Sequence, residues 1–426
     1  MLDIVIGLAA LTFLAVLIRY VIQLIDNNAR LFAITKRGYE LELELTRARL
    51  EQVKHRTQQD AQIGPALWKG FRRFQIIFKT MEARHVISFY LAPVDGKPLP
   101  SFLPGQYLTF KLNIPGQPKP VIRCYSLSDS PNHPDYYRVT IKKQFPPDDT
   151  PDAPPGLSSS FFHDSLNERD VVDVKAPSGH YYLDLSKNSP VVLIGGGVGI
   201  TPLVSMLNTV NEKGCNGKLS NREVWLFLGF KTGLDHVMKG HLERIAKMHK
   251  NVSLHICYSS PKESDIMGRD YHHKGRVTVE LIKQILPSMD YEFYFCGPPK
   301  MMEDLHKGLG QLGVAEDSIH FEAFNSAAIQ KISGSETTET ESPLKVTFSK
   351  SQQTLQWNPS AGTLLAFAEE NGIVLDSGCR AGNCGNCLTT IERGLVDYLV
   401  EPGRTPDARS CLACISVPKT DLTLEA

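Results

Sequence analysis

Three thiols, Cys379, Cys384 and Cys387, stand at C-x4-C-x2-C spacing within SGCRAGNCGNC, residues 377–387. Two more cysteines, Cys411 and Cys414, follow downstream. Such spacing, completed by a distant fourth thiolate, holds a [2Fe–2S] cluster. The thiolates must converge on one small inorganic core, so the loop has to wrap around it. Gly378, Gly382 and Gly385 permit the positive φ angles and close backbone approach that a wrapped loop needs. Loop N–H groups can then point at the sulfurs and tune the potential. A zinc knuckle or buried structural thiols are the competing readings. The x4-x2 spacing, the glycine density and the distant fourth cysteine fit zinc poorly.

A second constellation is Arg123-Cys124-Tyr125-Ser126. An arginine can grip a phosphate bidentately, a tyrosine face can lie on an aromatic ring system, and a serine hydroxyl can bond a ring nitrogen. Gly156-Leu-Ser-Ser159 then precedes Phe161-Phe-His-Asp164, a helix start with N–H groups free for pyrophosphate. The third constellation is the apolar run 190–194, which feeds Gly195-Gly-Gly-Val-Gly-Ile-Thr-Pro202 and an apolar helical pattern over 203–210. Strand, glycine turn and a proline in the first helical turn make a phosphate-binding arrangement that differs from G-x-G-x-x-G. Runs at 224–228, 252–256 and 291–295 read as further buried parallel strands. The last ends in Cys296-Gly297-Pro298-Pro299 and leads into a helix over 300–312. Ligands of open α/β sheets bind outside the carboxyl ends of strands, where Cys296 falls.

The elements that must position these groups exceed one core. At 426 residues the chain calls for about three domains. Lysine plus arginine equals aspartate plus glutamate, 46 each, so no basic excess argues for nucleic acid. The nine cysteines are otherwise scattered singly, unlike a secreted disulfide framework. Residues 4–25 are apolar and long enough to cross a hydrocarbon core about 30 Å thick. Arg30, Lys36, Arg37, Arg47 and Arg49 follow this run, which places the C-terminal bulk in the cytoplasm by the positive-inside rule. The expectation is a single-pass anchor in the cytoplasmic membrane over 1–26 and a charged helical spacer over 27–66. From residue 71 the pattern alternates as β structure, and Val171 to Leu183 adds two strand-like pieces. Residues 326–342 are small and polar and read as a flexible linker, and 343–426 form a new compact unit.

The run from PGQYLTF through RCYSLSDSP, YYRVTIKK, GLSSSFFHD and VKAPSGHYYLD resembles the flavin domain of the ferredoxin–NADP reductase superfamily. It is most similar to the reductase part of flavohaemoglobins and to the reductases that feed bacterial oxygenases. The resemblance implies an antiparallel β-barrel over 67–186 that holds FAD; the phthalate dioxygenase type shares the domain order but holds FMN. Arg123 would contact flavin phosphate, Tyr125 flank the isoalloxazine and Ser126 bond near N5. Tyr107, Cys124, Val139, Ile141, Gly156 and Ser159 would complete the site. The insertion over 145–155 is longer than the family pattern and leaves the adenine contacts open.

The same resemblance makes 187–325 an α/β nucleotide domain. Gly195, Gly196, Gly197 and Gly199 would face pyrophosphate and flavin. Cys296, with Gly297 and Pro298, would lie beside the nicotinamide and orient hydride transfer, with Thr201 in the same region. Phe324, in His320-Phe-Glu-Ala-Phe324, would cover the flavin until nicotinamide displaces it. Lys231 follows the Trp225 strand without an arginine pair, so NADH is expected over NADPH. Residues 363–418, from the helix TLLAFAEEN through CGNC to CISVP, are similar to plant-type ferredoxins, which implies a β-grasp fold. The Cys-x-x-x-Pro run after Cys414 matches that pattern, making Cys414 the fourth ligand and Cys411 a buried neighbour.

Hydride donors give two electrons and the cluster accepts one, so a flavin stands between them. The expected circuit runs from NADH to FAD to [2Fe–2S] to an external acceptor, a terminal oxygenase, hydroxylase or desaturase. One alternative is a respiratory component reducing quinone, as in the flavin subunit of the sodium-pumping NADH:quinone oxidoreductase. That subunit places its ferredoxin before its flavin domain, and the order here is the reverse. A non-catalytic membrane-tethered carrier is a third class, and the intact nucleotide motifs argue against it.

Overall fold

The computed structural model describes residues 68–146, 150–212, 222–324, 344–378, 380, 382, 385–399, 406–407 and 409–426. The expected anchor, spacer and linker, and with them Cys379 and Cys384, lie outside the described residues. Among the described residues no helix is long and apolar enough to cross a membrane.

Alternating sequence builds the first layer. Strands β1 (Arg72–Ala83) and β2 (Val86–Pro93) form a hairpin turned at Arg84 and His85. With β3 (Tyr107–Leu112), β4 (Val121–Ser126), β5 (Tyr137–Lys142) and β6 (Val171–Val174) they make an antiparallel sheet of order β4-β3-β6-β1-β2-β5. A bridge between Leu127 and Val139 joins its two ends, giving the barrel. Helix α1 (Leu157–Asp164) plugs one end. Its Phe162 lies edge-on to Phe89 and Phe110, 5.2 and 5.3 Å between centroids. Only one of the two strand-like pieces expected in 171–183 forms a strand. Beyond β6, Ser178 bridges to Tyr107, Gly179 turns at φ +122°, and the chain leaves the barrel. Tyr181 and Leu183 are buried with the nucleotide domain's core instead.

Continuous apolar runs build the second layer, because a parallel sheet is covered on both faces. Strands β7 (Val191–Gly196), β8 (Val224–Phe230), β9 (Val252–Tyr258), β10 (His273–Lys274), β11 (Glu292–Cys296) and β12 (Ile319–Glu322) pair in the order β10-β9-β8-β7-β11-β12, all parallel. Helices α2 (Ile200–Asn211), α3 (Lys239–Met248), α4 (Val279–Ile285) and α5 (Pro299–Gln311) cover it. The strand order reverses between β7 and β11. That switch point opens a crevice at their carboxyl ends, beside the glycine turn and Cys296.

The C-terminal unit pairs β13 (Lys345–Phe348), β14 (Gln353–Gln356), β15 (Leu388–Arg393), β17 (Ser410–Leu412) and β19 (Leu422–Leu424), with β16 (Val396–Tyr398) and β18 (Ser416–Pro418) as a side ribbon. Its helix α6 (Leu364–Glu370) is capped by Thr363, whose Oγ1 accepts from Ala366 N at 3.2 Å. The described residues of this unit fall in one compact body with the barrel and the nucleotide domain. One apolar cluster contains Phe293 and Leu305 of the nucleotide domain together with Phe348 and Phe367 of this unit.

Candidate functional site

Strand β4 carries the Arg-Cys-Tyr-Ser motif at the end of the barrel sheet, with Tyr107 of β3 directly opposite Ser126. The Tyr125 ring stands edge-on to Phe110 and Phe162, 5.7 and 5.2 Å away, and its hydroxyl bonds Ser158 Oγ at 2.8 Å. Burial pushes the Tyr125 pKa up to about 12, so the phenol keeps its proton. Cys124 contacts Thr109 Oγ1 at 3.3 Å. The Arg123 guanidinium donates to Ile122 O at 2.7 Å and reaches Gly378 O at 3.5 Å. Burial, and then the cation Arg380, lower its pKa. Gly378 therefore lies against the strand expected to hold the flavin.

Ser126 faces the nucleotide domain. Its hydroxyl donates to Glu322 Oε2 at 3.2 Å, and both residues are buried. Parallel register sets Cys296 opposite Glu322 and Tyr294 opposite His320. Side chains two apart along a strand share a face, so Tyr294, Cys296, His320 and Glu322 line one side of the sheet. Burial first, and then the Glu322 charge, push the Cys296 thiol well above its usual pKa, so it stays protonated. Glu322 escaped the sequence reading. It lies 196 positions from Ser126, and the pairing of β11 with β12 sets it beside Cys296.

The glycine turn closes on the Cys296 loop. A Cβ on Gly199 would stand 2.2 Å from Cys296 O, so only glycine fits there. Gly197 takes φ +56° with open space beside it, where a phosphate can approach. Gly195 packs on Leu228, while Gly196 and Gly297 pack on Met301 and Gly196 also on Pro298. Thr201 is buried, and its hydroxyl caps the turn by donating to Val198 O at 3.1 Å. A cavity of about 870 Å³ runs from this turn along the strand ends, lined by Gly196, Gly197, Lys231, Arg276 and Pro298. The barrel contributes Arg84, His85 and Phe145 to the same wall, and these were not anticipated.

The remaining expected site residues have these surroundings. Val139 and Ile141 point into the barrel core. Gly156 N donates to Gln144 O at 2.9 Å, and Ser159 Oγ binds Gly156 O and Gln144 N at 3.0 Å, tying the start of α1 to the end of β5. Phe324 is 44 % exposed.

Cys387 and Cys414 are buried, with sulfurs 3.1 Å apart, and Gly382 N donates to Cys414 Sγ at 3.3 Å. Cys411 is buried on β17, and burial raises its pKa to about 12. Gly382 and Gly385 take the left-handed φ expected of them. Gly378 does not, and Arg380 does, at φ +57°. Two converging thiols with a backbone N–H aimed at one of them fit a thiolate-bound cluster. Among the described residues the buried Tyr181 hydroxyl has no hydrogen-bond partner, which fits a site built around a further polar group.

Comparison with known proteins places three domains along the chain. Residues 75–182 match the oxidoreductase FAD-binding domain, 193–307 the oxidoreductase NAD-binding domain and 346–419 the 2Fe-2S iron-sulfur cluster binding domain. The chain thus carries the parts of an NADH-dependent FAD/[2Fe–2S] electron-transfer oxidoreductase. Along the chain the FAD-binding domain comes first, the NAD-binding domain second and the iron–sulfur domain last. Flavohemoprotein of Bacillus cereus is 41% identical over 261 residues, 61% of this chain and 62% of that protein. Flavohemoprotein of Bacillus subtilis is 37% identical over 257 residues, 60% of each. The chain therefore spans about three fifths of these curated relatives. Among solved structures, the flavohaem-like FAD/NAD-binding domain of nitric oxide dioxygenase from Vibrio cholerae is 29% identical with TM-score 0.51, covering 59% of this chain and 98% of that one. Phthalate dioxygenase reductase shares the fold over 84% of this chain and 98% of its own, at 22% identity and TM-score 0.50.

Proposed function

We propose that this chain passes electrons from NADH through FAD and a [2Fe–2S] cluster to an external oxygenase-type acceptor. The cluster would be held by Cys379, Cys384, Cys387 and Cys414. When bound, the flavin takes up the two electrons of a hydride and the cluster passes them on singly. The observation that carries the reading is that β4 touches both of the other domains. Arg123 reaches Gly378 O at 3.5 Å, while Ser126 on the same strand reaches Glu322 in the nucleotide domain.

Each residue then has a local task. Gly197 and Gly199 let the nucleotide backbone approach the turn. The Tyr125 ring, held by Ser158, offers a face to the isoalloxazine. Ser126 and Glu322 hold and move a proton at the flavin edge. Cys296, kept neutral by burial, packs against the nicotinamide without placing a charge there. The protein excludes water from this junction and keeps donor and acceptor rings in contact. The apolar run over 4–25 supports an anchor that keeps the enzyme beside a membrane-bound acceptor.

Anaerobic stopped-flow with NADH tests the order of transfer. The expected result is flavin bleaching followed by loss of the cluster's visible absorption. Cys384→Ser should keep the first phase and lose reduction of added cytochrome c. Loss of the first phase in a folded, flavin-loaded variant would mean the order is wrong. Quinone reduction without any partner protein would move the reading to a respiratory enzyme. Partition of the full chain into the soluble fraction would exclude the anchor.

A further inference from the structure

The tip of the β1–β2 hairpin is strained where it borders the cavity. His85 takes φ +61°, in the left-handed region that glycine enters freely and a residue with a side chain does not. Its neighbours hold it there. Arg84 N donates to Leu234 O at 3.0 Å, and the Arg84 guanidinium pairs with Asp235 Oδ1 at 3.2 Å, fixing the tip to the nucleotide domain. His85 O accepts from Lys143 N at 2.9 Å, which ties the tip to the chain just before Phe145. Strain kept in place by so many contacts points to a use for the side chain that causes it.

That side chain meets a second ring. The His85 imidazole and the Phe145 ring lie 4.7 Å apart between centroids, with 67° between their planes. Lys143 Nζ stands over the Phe145 ring at 5.7 Å. Phe145 is nevertheless 43 % exposed, His85 is exposed as well, and both border the cavity of about 870 Å³ that begins at the glycine turn. An aromatic ring fixed by two neighbours and open to a cavity is a platform on which a flat heteroaromatic ring can stack. The other end of the cavity, at Gly197, leaves room for a phosphate. Phosphate at one end and a stacking ring at the other match the two parts of an adenine dinucleotide. We propose that His85 and Phe145 together hold the adenine ring of a dinucleotide bound in this cavity. The adenine belongs to FAD or to NADH, and the experiment below separates the two. Phe145 opens the insertion over 145–155, so the departure from the family pattern begins at the stacking ring. The inference rests on the reading that this chain binds FAD and NADH.

Each dinucleotide has a counterpart without adenine: FMN for FAD, and reduced nicotinamide mononucleotide for NADH. Dissociation constants of FAD and FMN are measured by flavin fluorescence on the full, cluster-loaded chain after release of its flavin. Michaelis constants of the two nicotinamide donors are measured on the flavin-loaded chain. Phe145→Ala and His85→Gly are each compared with the wild type. In one of the two pairs, both variants should weaken the adenine-bearing member about tenfold and leave its counterpart unchanged. His85→Gly should also leave the melting temperature of the flavin-free protein unchanged or raised, since glycine relieves the turn. A loss confined to FAD assigns the adenine to the flavin cofactor, and a loss confined to NADH assigns it to the nicotinamide donor. Unchanged affinities in both pairs overturn the proposal, and so does equal weakening of both members of a pair, which marks damage to the fold. An effect of Phe145→Ala without one of His85→Gly overturns the paired arrangement. Wild-type protein that binds neither FAD nor NADH removes the reading beneath the proposal, whereas unchanged affinities in a chain that binds both sink the adenine site alone.

Discussion

The barrel meets its two neighbours through seams of opposite character. Towards the nucleotide domain the seam is buried and polar. Asp129 Oδ1 accepts from Asn208 Nδ2 at 2.8 Å, and Ser205 Oγ donates to Asp129 O at 2.7 Å. Arg138 pairs with the other carboxylate oxygen at 3.3 Å, both side chains being less than one tenth exposed. Tyr136 donates to that oxygen at 3.0 Å, and Arg138 also binds Ser128. Towards the cluster loop the polar contacts are thin. Lys119 stands 3.7 Å from Asp376 with both side chains more than three quarters exposed, and Arg123 makes a long contact to Gly378 O. The contrast follows the chemistry. Hydride transfer needs two rings in register to a fraction of an ångström, and a satisfied buried network supplies that rigidity. Single-electron transfer tolerates small changes in distance, so its seam can stay weak.

Breaking the strong seam should have the largest effect. Arg138→Ala removes the cation from a buried carboxylate and is expected to cost about 3–5 kcal/mol of stability, measured by chemical denaturation of the flavin-loaded protein. A loss below about 1 kcal/mol would show that the seam is not a structural unit.

A smaller effect is expected from His133. Its Nε2 lies 3.2 Å from Glu212 Oε1 and 3.9 Å from Asp129 Oδ1. Burial disfavours its charge, but the bond to Glu212 and the Asp129 charge outweigh burial and raise its pKa above 6.5. A raised folded-state pKa stabilises fully below the unfolded value and is lost as pH climbs through the folded one. Stability should therefore fall slightly as pH rises through the neutral range, the effect being reduced by solvent screening because the imidazole is 37% exposed. His133→Gln should flatten that slope, which thermal melts across the range will measure.

The smallest effect belongs to the weak seam. Lys119→Ala is expected to change stability by less than about 0.5 kcal/mol, because an exposed pair is screened by solvent. A larger loss in the same denaturation assay would mean that the ferredoxin unit is held by charge and not by its apolar packing.

Much of the local chemistry was readable along the chain. Ligand spacing in 379–387, the glycine turn after β7 and the β4 motif each lie within about a dozen consecutive residues. Local steric and ligand rules act on such stretches directly. Burial on both faces explains why β7, β8 and β9 could be read from apolar runs alone. By contrast, β10 and β12 are short strands without such runs, and their pairing depends on neighbours far away in sequence.

What the amino-acid order settled is therefore the set of chemical parts: a thiolate loop, a flavin-type strand motif and a nucleotide turn. What folding alone decided is which groups meet. Ser126 reaches Glu322 only because parallel register sets β12 beside β11 and the barrel docks on that face. Tyr181, in a segment that reads as strand in the sequence, is buried in the nucleotide domain's core. Gly378 of the C-terminal unit comes within 3.5 Å of Arg123, 255 positions earlier. These are contacts between distant segments, whose energies depend on shared burial and not on any local pattern.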